Sequence, residues 1–263
     1  MKYKIFVITA TLAAVLSNNK ISAQTNLVNE LNIILAEGNT EQRIKSADTF
    51  CNKIAELISV GAKAQKLDIP QRISQLFSKD KNVGIYTWSM PTERGMYKYY
   101  GIIKSPSGIF ILQDVNENNE YMIDQKFENN KWYGAVYYNI IEMYINGKKA
   151  YTLLGNDLKG ILSSKKVIDV LSFDDDKKPV FGAPIFGKNN NLRLIFEYNA
   201  RSTMYMQYNI EKKMIIYNFL VPVNPNFEGD YRFYVPDISY DGLMYKNGKW
   251  TLVEEAITFE RND

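Results

Sequence analysis

The sequence predicts a mainly β fold with an N-terminal α-helical segment, in which an antiparallel meander forms a sandwich or half-barrel. The first observation is a change of hydrophobic period at residues 79–82, from helical spacing to the alternation that is typical of strands. The second is a series of short runs rich in Tyr, Phe, Ile and Val that continues to Glu260. The third is the turn chemistry between these runs. Asn146-Gly147 is the clearest case, because a two-residue hairpin turn needs positive φ at both positions.

The N-terminus has the pattern of a secretory signal peptide, which we assign to residues 1–23. Lys2 and Lys4 supply a charged start, Ile5–Leu16 carries no charge, and a small residue precedes the expected cleavage point before Gln24. The apolar run is shorter than the roughly 20 residues that a membrane-spanning helix needs. The sequence therefore predicts an exported protein, located in the periplasm or at the cell surface, with no membrane span.

Loss of this segment makes the chain formally neutral. It removes Lys2, Lys4 and Lys20, so the 32 basic residues fall to 29 and equal the 29 acidic ones. A neutral chain is not expected to bind nucleic acid through general electrostatic attraction. Nucleotide-binding fingerprints are also absent from the sequence, and we expect no cofactor.

Residues 24–81 are predicted as a helical segment and residues 82–263 as an antiparallel β domain. Three helices are expected: one that ends at Gly38, one from Asn39 or Thr40 to Gly61, and one that starts at Pro70 and carries Ile73, Leu76 and Phe77. Their apolar stripes are expected to pack on the β domain. A face that binds a partner or mediates assembly is the alternative.

Cys51, the single cysteine, lies on the apolar face of the second predicted helix. One cysteine excludes an intramolecular disulfide. We expect a small buried hydrophobic side chain, and an intermolecular disulfide is the alternative.

The predicted strands follow from the alternating pattern and from the turn residues between them. They are Val83–Met90, Met96–Lys104, Gly108–Asp114, Glu120–Phe127, Lys131–Ile145, Lys148–Leu154, Lys166–Phe173, Pro179–Phe181, Leu192–Tyr198, Met204–Tyr208, Met214–Leu220, Tyr231–Val235, Leu243–Lys246 and Lys249–Glu254.

Five stretches of the β region carry a family resemblance: WYGAVYY, YTLLGND, KVIDVLSFD, PVFGAPIFG and FEGDYRFYVPDISYDGLMYKNGKW. With the chain between them, roughly from Val83 to Glu254, they resemble an uncharacterised family of exported β-rich proteins from gut-type and oral-type Gram-negative bacteria. The resemblance implies export. It assigns no activity and therefore no functional residue.

Several enzyme classes are excluded because the chain contains no histidine. Ser-His-Asp and Cys-His catalysis and histidine-ligated zinc sites all need an imidazole. Paired carboxylates could still hydrolyse a glycan, and the acids inside otherwise apolar strands are Glu142, Asp169 and Glu197. The acidic turns at Asp114–Asn118 and Asp174–Asp176 do not fit a calcium loop, so we interpret them as solvated hairpin tips and predict no metal site.

The remaining functional signal is the aromatic content, 13% of the residues with 19 tyrosines. Aromatic faces with hydroxyl edges suit sugars and apolar ligands, although they suit sheet cores equally well. The candidate binding residues are three pairs that share a strand face: Tyr97 and Tyr99, Tyr133 and Tyr137, and Tyr231 and Phe233.

These observations favour a non-enzymatic binding or structural role in the cell envelope. The expected partner is a glycan, a small apolar ligand or another envelope protein. A glycan-active hydrolase is the alternative, and the two hypotheses predict different sites. Hydrolysis needs two carboxyl groups about 5 to 10 Å apart across a cleft, whereas binding needs a cavity lined by aromatic side chains.

Overall fold

The computed structural model describes residues 29, 31–32, 39–69, 72–92, 96–115, 121–158, 161–187 and 190–257. The predicted signal peptide lies outside these described residues. Most of the first predicted helix does too, although residues 29, 31 and 32 are helical.

Helix α1, Thr40–Ser59, confirms the second predicted helix. The side chain of Asn39 caps its start by accepting a hydrogen bond from the backbone N–H of Glu41 at 2.8 Å. The stripe of Ala47, Phe50, Cys51, Ile54 and Ile58 is buried against the first sheet. Burial raises the pKa of the Cys51 thiol to about 12, so this residue acts as a packed apolar side chain.

The first sheet contains β1 (Ser74–Phe77), β2 (Gly84–Pro91), β3 (Tyr97–Ser105), β4 (Gly108–Asp114) and β5 (Lys131–Trp132), in that spatial order. The pairs from β1 to β4 are antiparallel, and β5 pairs with β4 in parallel.

The third predicted helix is wrong, because Ser74–Phe77 forms β1 and pairs antiparallel with β2. Ile73, Leu76 and Phe77 have helical spacing over a single turn, and one turn of helix has an unfavourable nucleation cost. Pairing with β2 satisfies the same backbone groups. The end of the predicted helical segment is therefore a strand of the first sheet.

The second sheet contains β6 (Val136–Ile145), β7 (Lys148–Asp157), β8 (Ser163–Phe173), β9 (Pro179–Phe181) and β10 (Leu194–Asn199). Its order is β10-β8-β7-β6, and β9 adds to the end of β8. The β6–β7 hairpin turns at Asn146 and Gly147, whose φ values of 49° and 76° match the predicted turn.

The third sheet contains β11 (Met206–Asn209), β12 (Met214–Pro222), β13 (Tyr234–Lys246) and β14 (Lys249–Ile257), in that order and all antiparallel. Two short 3-10 turns, Pro225–Phe227 and Tyr231–Phe233, connect β12 to β13. The predicted strand Tyr231–Val235 is therefore wrong for its first three residues, where Asp230 caps a turn by accepting from the backbone N–H of Arg232.

Two further predicted strands need correction. Residues 121–126 are not strand, and Phe127 makes a single bridge to Phe181. The predicted strand Lys131–Ile145 is interrupted at residues 133–135, between β5 and β6. Gly134 has a φ of 88°, and a Cβ there would collide with the Asp114 carboxylate, so the chain bends where only glycine fits.

The elements stack in layers, which confirms the predicted mainly β fold with a sandwich architecture. Helix α1 covers one face of the first sheet. The other face packs on the second sheet around residues such as Trp132, Tyr137 and Leu153. The opposite face of the second sheet packs on the third through residues such as Ile168 and Trp250. The second sheet is therefore buried on both faces.

Candidate functional site

A cavity of about 600 Å³ lies between β10, which is the edge strand of the second sheet, and the third sheet. Residues 121–123 and the 3-10 turn Tyr231–Phe233 border it. Eleven of the sixteen lining residues are aliphatic or aromatic: Tyr121, Ile123, Leu194, Ile195, Phe196, Tyr217, Phe219, Leu220, Tyr231, Tyr234 and Leu252. The polar ones are Asn191, Arg193, Glu197, Asn218 and Asp241.

The pairing of the third sheet is irregular beside the cavity. Asn218 pairs with Tyr240 and Leu220 pairs with Pro236, so β13 advances four residues where β12 advances two, and the bulge lies on β13. Asn218 anchors the bulge, because its side chain donates to the Asp237 carbonyl at 3.0 Å and accepts from the backbone N–H of Tyr205 at 2.8 Å. Phe219 is left 48% exposed at the cavity.

Aromatic rings form two pairs on the cavity wall. Phe196 of β10 packs on Tyr217 of β12 with ring centroids 4.7 Å apart, which joins the two sheets. Tyr231 packs on Tyr234 with centroids 4.8 Å apart, beside the 3-10 turn. The wall is thus held by ring contacts and presents tyrosine hydroxyls together with apolar surface.

Glu197 is the polar centre at one end of the cavity. The hydroxyls of Tyr121 and Ser163 both donate hydrogen bonds to its carboxylate. Lys165 lies directly opposite Glu197 on β8, and its Nζ is 4.6 Å from the centre of the Tyr121 ring. Burial, followed by the Glu197 carboxylate, holds the pKa of Tyr121 above its ordinary value, so Tyr121 remains a phenol that donates.

The predicted binding tyrosines of the first two pairs belong to the core between the first two sheets. Tyr99, Tyr133 and Tyr137 are at most 1% exposed, and Tyr97 is half-buried against the same core. Tyr133 donates to Asp157 at 2.7 Å and Tyr137 to Asp169 at 3.2 Å. Their hydroxyls therefore satisfy buried carboxylates rather than face an open surface.

The two residues of the third predicted pair, Tyr231 and Phe233, lie in different environments. Tyr231 lines the cavity and is 45% exposed, whereas Phe233 stacks on Phe227 with centroids 4.1 Å apart. Of the six predicted aromatic residues, Tyr231 is the one that borders the cavity.

The three predicted catalytic acids, Glu142, Asp169 and Glu197, lie in different parts of the structure. Asp169 is fully buried and pairs with the guanidinium of Arg193 at 3.4 Å. Glu142 accepts from the backbone N–H of Lys79 at 2.5 Å and lies 3.7 Å from Lys149.

The strand register keeps these acids apart. Asp169 and Glu142 are two strands and two residues apart, which corresponds to roughly 12 Å between Cα atoms, and Asp169 and Glu197 are separated by roughly 14 Å. Each of the three carboxylates is held by different residues.

The first of the two acidic turns is not fully exposed to solvent as predicted, because its Asp114 is buried. Asp114 is 7% exposed, and its carboxylate accepts from the backbone N–H of Tyr99 at 3.0 Å, so it is not part of a solvated tip. Asp175 is solvated as predicted and pairs with Lys148 at the surface. Within the part of the chain that the structure describes, no three His, Cys, Asp or Glu side chains group as metal ligands.

A second cavity, of about 550 Å³, lies between turns of the first and second sheets. Tyr151 and Phe173 line it together with Asp80, Lys149 and Lys177. Lys149 donates to Asp80 at 3.0 Å, so these two charges neutralise one another. The first cavity has the larger volume and the more aromatic wall, and it is our candidate site.

Sequence reasoning missed most of this site. Tyr231 is among the predicted binding residues and Glu197 among the predicted catalytic acids, while the sequence does not single out Tyr121, Tyr217 and Asp241. These residues come from four separate parts of the chain and meet only because the edge strand β10 packs beside the third sheet. The alternating pattern indicates which residues share a face, but it does not indicate where two sheets leave a gap.

Comparison of the chain with protein-family models, with curated proteins and with solved structures found no match. Among the described residues, no helix combines the length and the apolar character that crossing a membrane requires.

Proposed function

We propose that this protein is an exported, non-enzymatic binding component of the cell envelope that holds a small, largely apolar ligand in the cavity beside β10. The observation that carries the proposal is the cavity itself. Its volume of about 600 Å³ falls within the range of about 300 to 1,000 Å³ that is usual for small-molecule sites. A mainly apolar wall with a few polar groups is also the usual composition of such sites.

The lining favours an apolar ligand over a glycan. Leu194, Ile195, Leu220 and Leu252 contribute aliphatic surface, which would leave sugar hydroxyls without partners. Glu197 and the tyrosine hydroxyls supply a small number of hydrogen-bonding groups that could orient one polar end of a ligand.

Binding is favoured over glycan hydrolysis by the positions of the acids. Hydrolysis by paired carboxylates requires two of them about 5 to 9.5 Å apart on either side of the substrate. Glu197 borders the cavity, but Asp169 is enclosed in the core by Arg193, and Glu142 is held by Lys79 and Lys149. Neither of the other two predicted acids, Asp169 and Glu142, therefore pairs with Glu197 across the cavity.

Blocking the cavity is expected to abolish ligand binding. Leu252 lines the cavity and is 50% exposed, so Leu252→Trp should fill the space without disturbing a closed core. We expect the affinity for N-phenylnaphthylamine, a neutral apolar dye that fluoresces when it leaves water, to fall by about tenfold or more. Fluorescence titration measures the change.

The matched control is Ile238→Trp, which adds the same side chain at a residue that is 79% exposed and outside the cavity. It should bind the dye as the unaltered protein does. Equal binding by Leu252→Trp, or no saturable binding by the unaltered protein, would contradict the proposed function.

Export is supported by the charged and apolar pattern of the first 23 residues and by the resemblance to exported proteins. We expect protein recovered from the cell envelope to begin at Gln24, as measured by N-terminal sequencing and intact mass. Leu12→Arg, which places a charge in the apolar run, should leave the N-terminus unprocessed and the protein inside the cell. Recovery of the unaltered protein with Met1 in every fraction would refute export.

A further inference from the structure

The charged groups around the cavity carry an excess of negative charge. Five carboxylates border it or lie next to its lining: Asp157, Asp169, Glu197, Asp230 and Asp241. Three cations lie among them, Lys165, Arg193 and Arg232. A fourth, Lys166, lies opposite Phe196 on β8 and donates to Asn156 at 2.7 Å. The local formal charge is therefore negative by one.

Each of these cations is already committed. Arg193 is fully buried, pairs with Asp169 and donates to the backbone carbonyls of Met122 and Gln125. Arg232 pairs with Asp230 at 2.6 Å through its guanidinium. The Arg232 guanidinium is therefore held by Asp230, and the Arg193 guanidinium is enclosed beside Asp169 with its Nη2 lacking a hydrogen-bond partner among the described residues.

Lys165 is the third cation, and it is 2% exposed. It lies opposite both Asp157 and Glu197 in the strand register, and its Nζ rests over the Tyr121 ring. This lysine therefore lies between the two carboxylate-bearing positions on the neighbouring strands.

Asp241 is the acid that these cations do not balance. It lies opposite Tyr217 on the neighbouring strand and lines the cavity, where one of its oxygens accepts from the backbone N–H of Glu255 at 3.2 Å. Within the described part of the chain, no Lys or Arg nitrogen lies within ion-pair distance of its carboxylate. A carboxylate without a cationic partner beside an apolar surface favours a cationic ligand over a neutral or anionic one.

The aromatic wall of the cavity also favours a cationic ligand. Phe196, Tyr217, Tyr231 and Tyr234 line the cavity, and aromatic rings attract ammonium groups through their quadrupole. A ring cluster next to a carboxylate recognises an alkylated amine better than it recognises a neutral or anionic group.

We infer that the ligand of this cavity is a cationic amphiphile, with an ammonium group beside Asp241 and an apolar body along the wall of β10. The inference rests on the proposed binding function and makes it more specific.

The test compares three small molecules that share one apolar body and differ in charge: phenylbutylamine, phenylbutanol and phenylbutyrate. Each is used to displace N-phenylnaphthylamine from the protein. We expect the amine to bind at least about fivefold more tightly than the alcohol, and the carboxylate to bind most weakly. Added salt should reduce the preference for the amine.

Asp241→Asn should remove most of this preference and leave the affinity for the alcohol unchanged, because Asn keeps the oxygen that accepts from Glu255. Asp237→Asn is the control, since Asp237 lies on the same strand outside the cavity lining. The comparison of the three molecules on the unaltered protein remains decisive if the variant does not fold.

Two outcomes would overturn the inference, and they are distinguishable. Saturable dye binding with no preference for the amine, or an unchanged preference in Asp241→Asn, would refute the cationic ligand and leave the binding function standing. Absence of any binding of the dye and the three molecules would refute both.

Discussion

Arg193→Met is expected to lower the free energy of unfolding by about 3 to 5 kcal/mol, because it leaves the carboxylate of Asp169 buried without its cation. The substitution also removes the donor to the carbonyls of Met122 and Gln125, which holds the non-strand segment 121–126 against the second sheet. Urea unfolding followed by tryptophan fluorescence measures the loss.

A double variant separates the unpaired charge from the loss of packing. Arg193→Met with Asp169→Leu removes both charges and should recover a substantial part of the stability lost in the single variant, since apolar residues of similar volume often replace a buried ion pair at small cost. Arg232→Met is the surface control, because its pair with Asp230 is solvent-exposed and should contribute far less to stability than the buried pair does. A loss below 1 kcal/mol in Arg193→Met would show that Asp169 is not charged and enclosed as described.

Phe50→Ala is expected to cost about 3 to 5 kcal/mol, the usual range for removing a buried aromatic ring. Phe50 of α1 is 0% exposed and meets the edge of Trp88 with ring centroids 5.2 Å apart, so its loss leaves a void between the helix and the first sheet. Chemical unfolding measures the stability, and near-ultraviolet circular dichroism should report the changed surroundings of Trp88.

Glu56→Ala is the matched control on the solvent face of the same helix, and it should change stability by less than about 0.5 kcal/mol. If Phe50→Ala were equally mild, the apolar stripe of α1 would not be docked on the sheet. That result would restore the alternative in which this stripe binds a partner.

The sequence was most informative where local chemistry alone determines conformation. The Asn146-Gly147 turn requires positive φ at both residues, and Asn247-Gly248 adopts the same geometry between β13 and β14 with φ values of 52° and 79°. The Asn39 cap and the apolar stripe behind it were similarly sufficient to locate α1. These features depend on neighbouring residues, so they can be read from a short window.

Predictions failed where distant segments decide the outcome. Ser74–Phe77 becomes strand because β2 offers it an edge, and the chain breaks at Gly134 because the Asp114 carboxylate occupies the space where a side chain would lie. Tyr121 leaves the predicted strand and donates to Glu197, 76 residues further along the chain. No local pattern carries this information, because each contact depends on how the sheets stack.

The same reasoning explains why the aromatic residues were only partly informative. Tyr133 and Tyr137 have the alternation expected of a sheet face, and they occupy the face that another sheet covers. Tyr217, which does line the cavity, has the same local pattern. Burial between layers, rather than residue type, separates a core tyrosine from one that can meet a ligand.

The middle position of the second sheet limits how the molecule can be divided. Its strands supply one wall to the core beneath α1 and the first sheet, and another wall to the core shared with the third sheet. A fragment that ended after the second sheet would expose Ile168 and its neighbours to water, and one that began there would expose Leu153 and its neighbours. The three sheets therefore depend on one another for solubility, and the cavity beside β10 exists only in the intact assembly of layers.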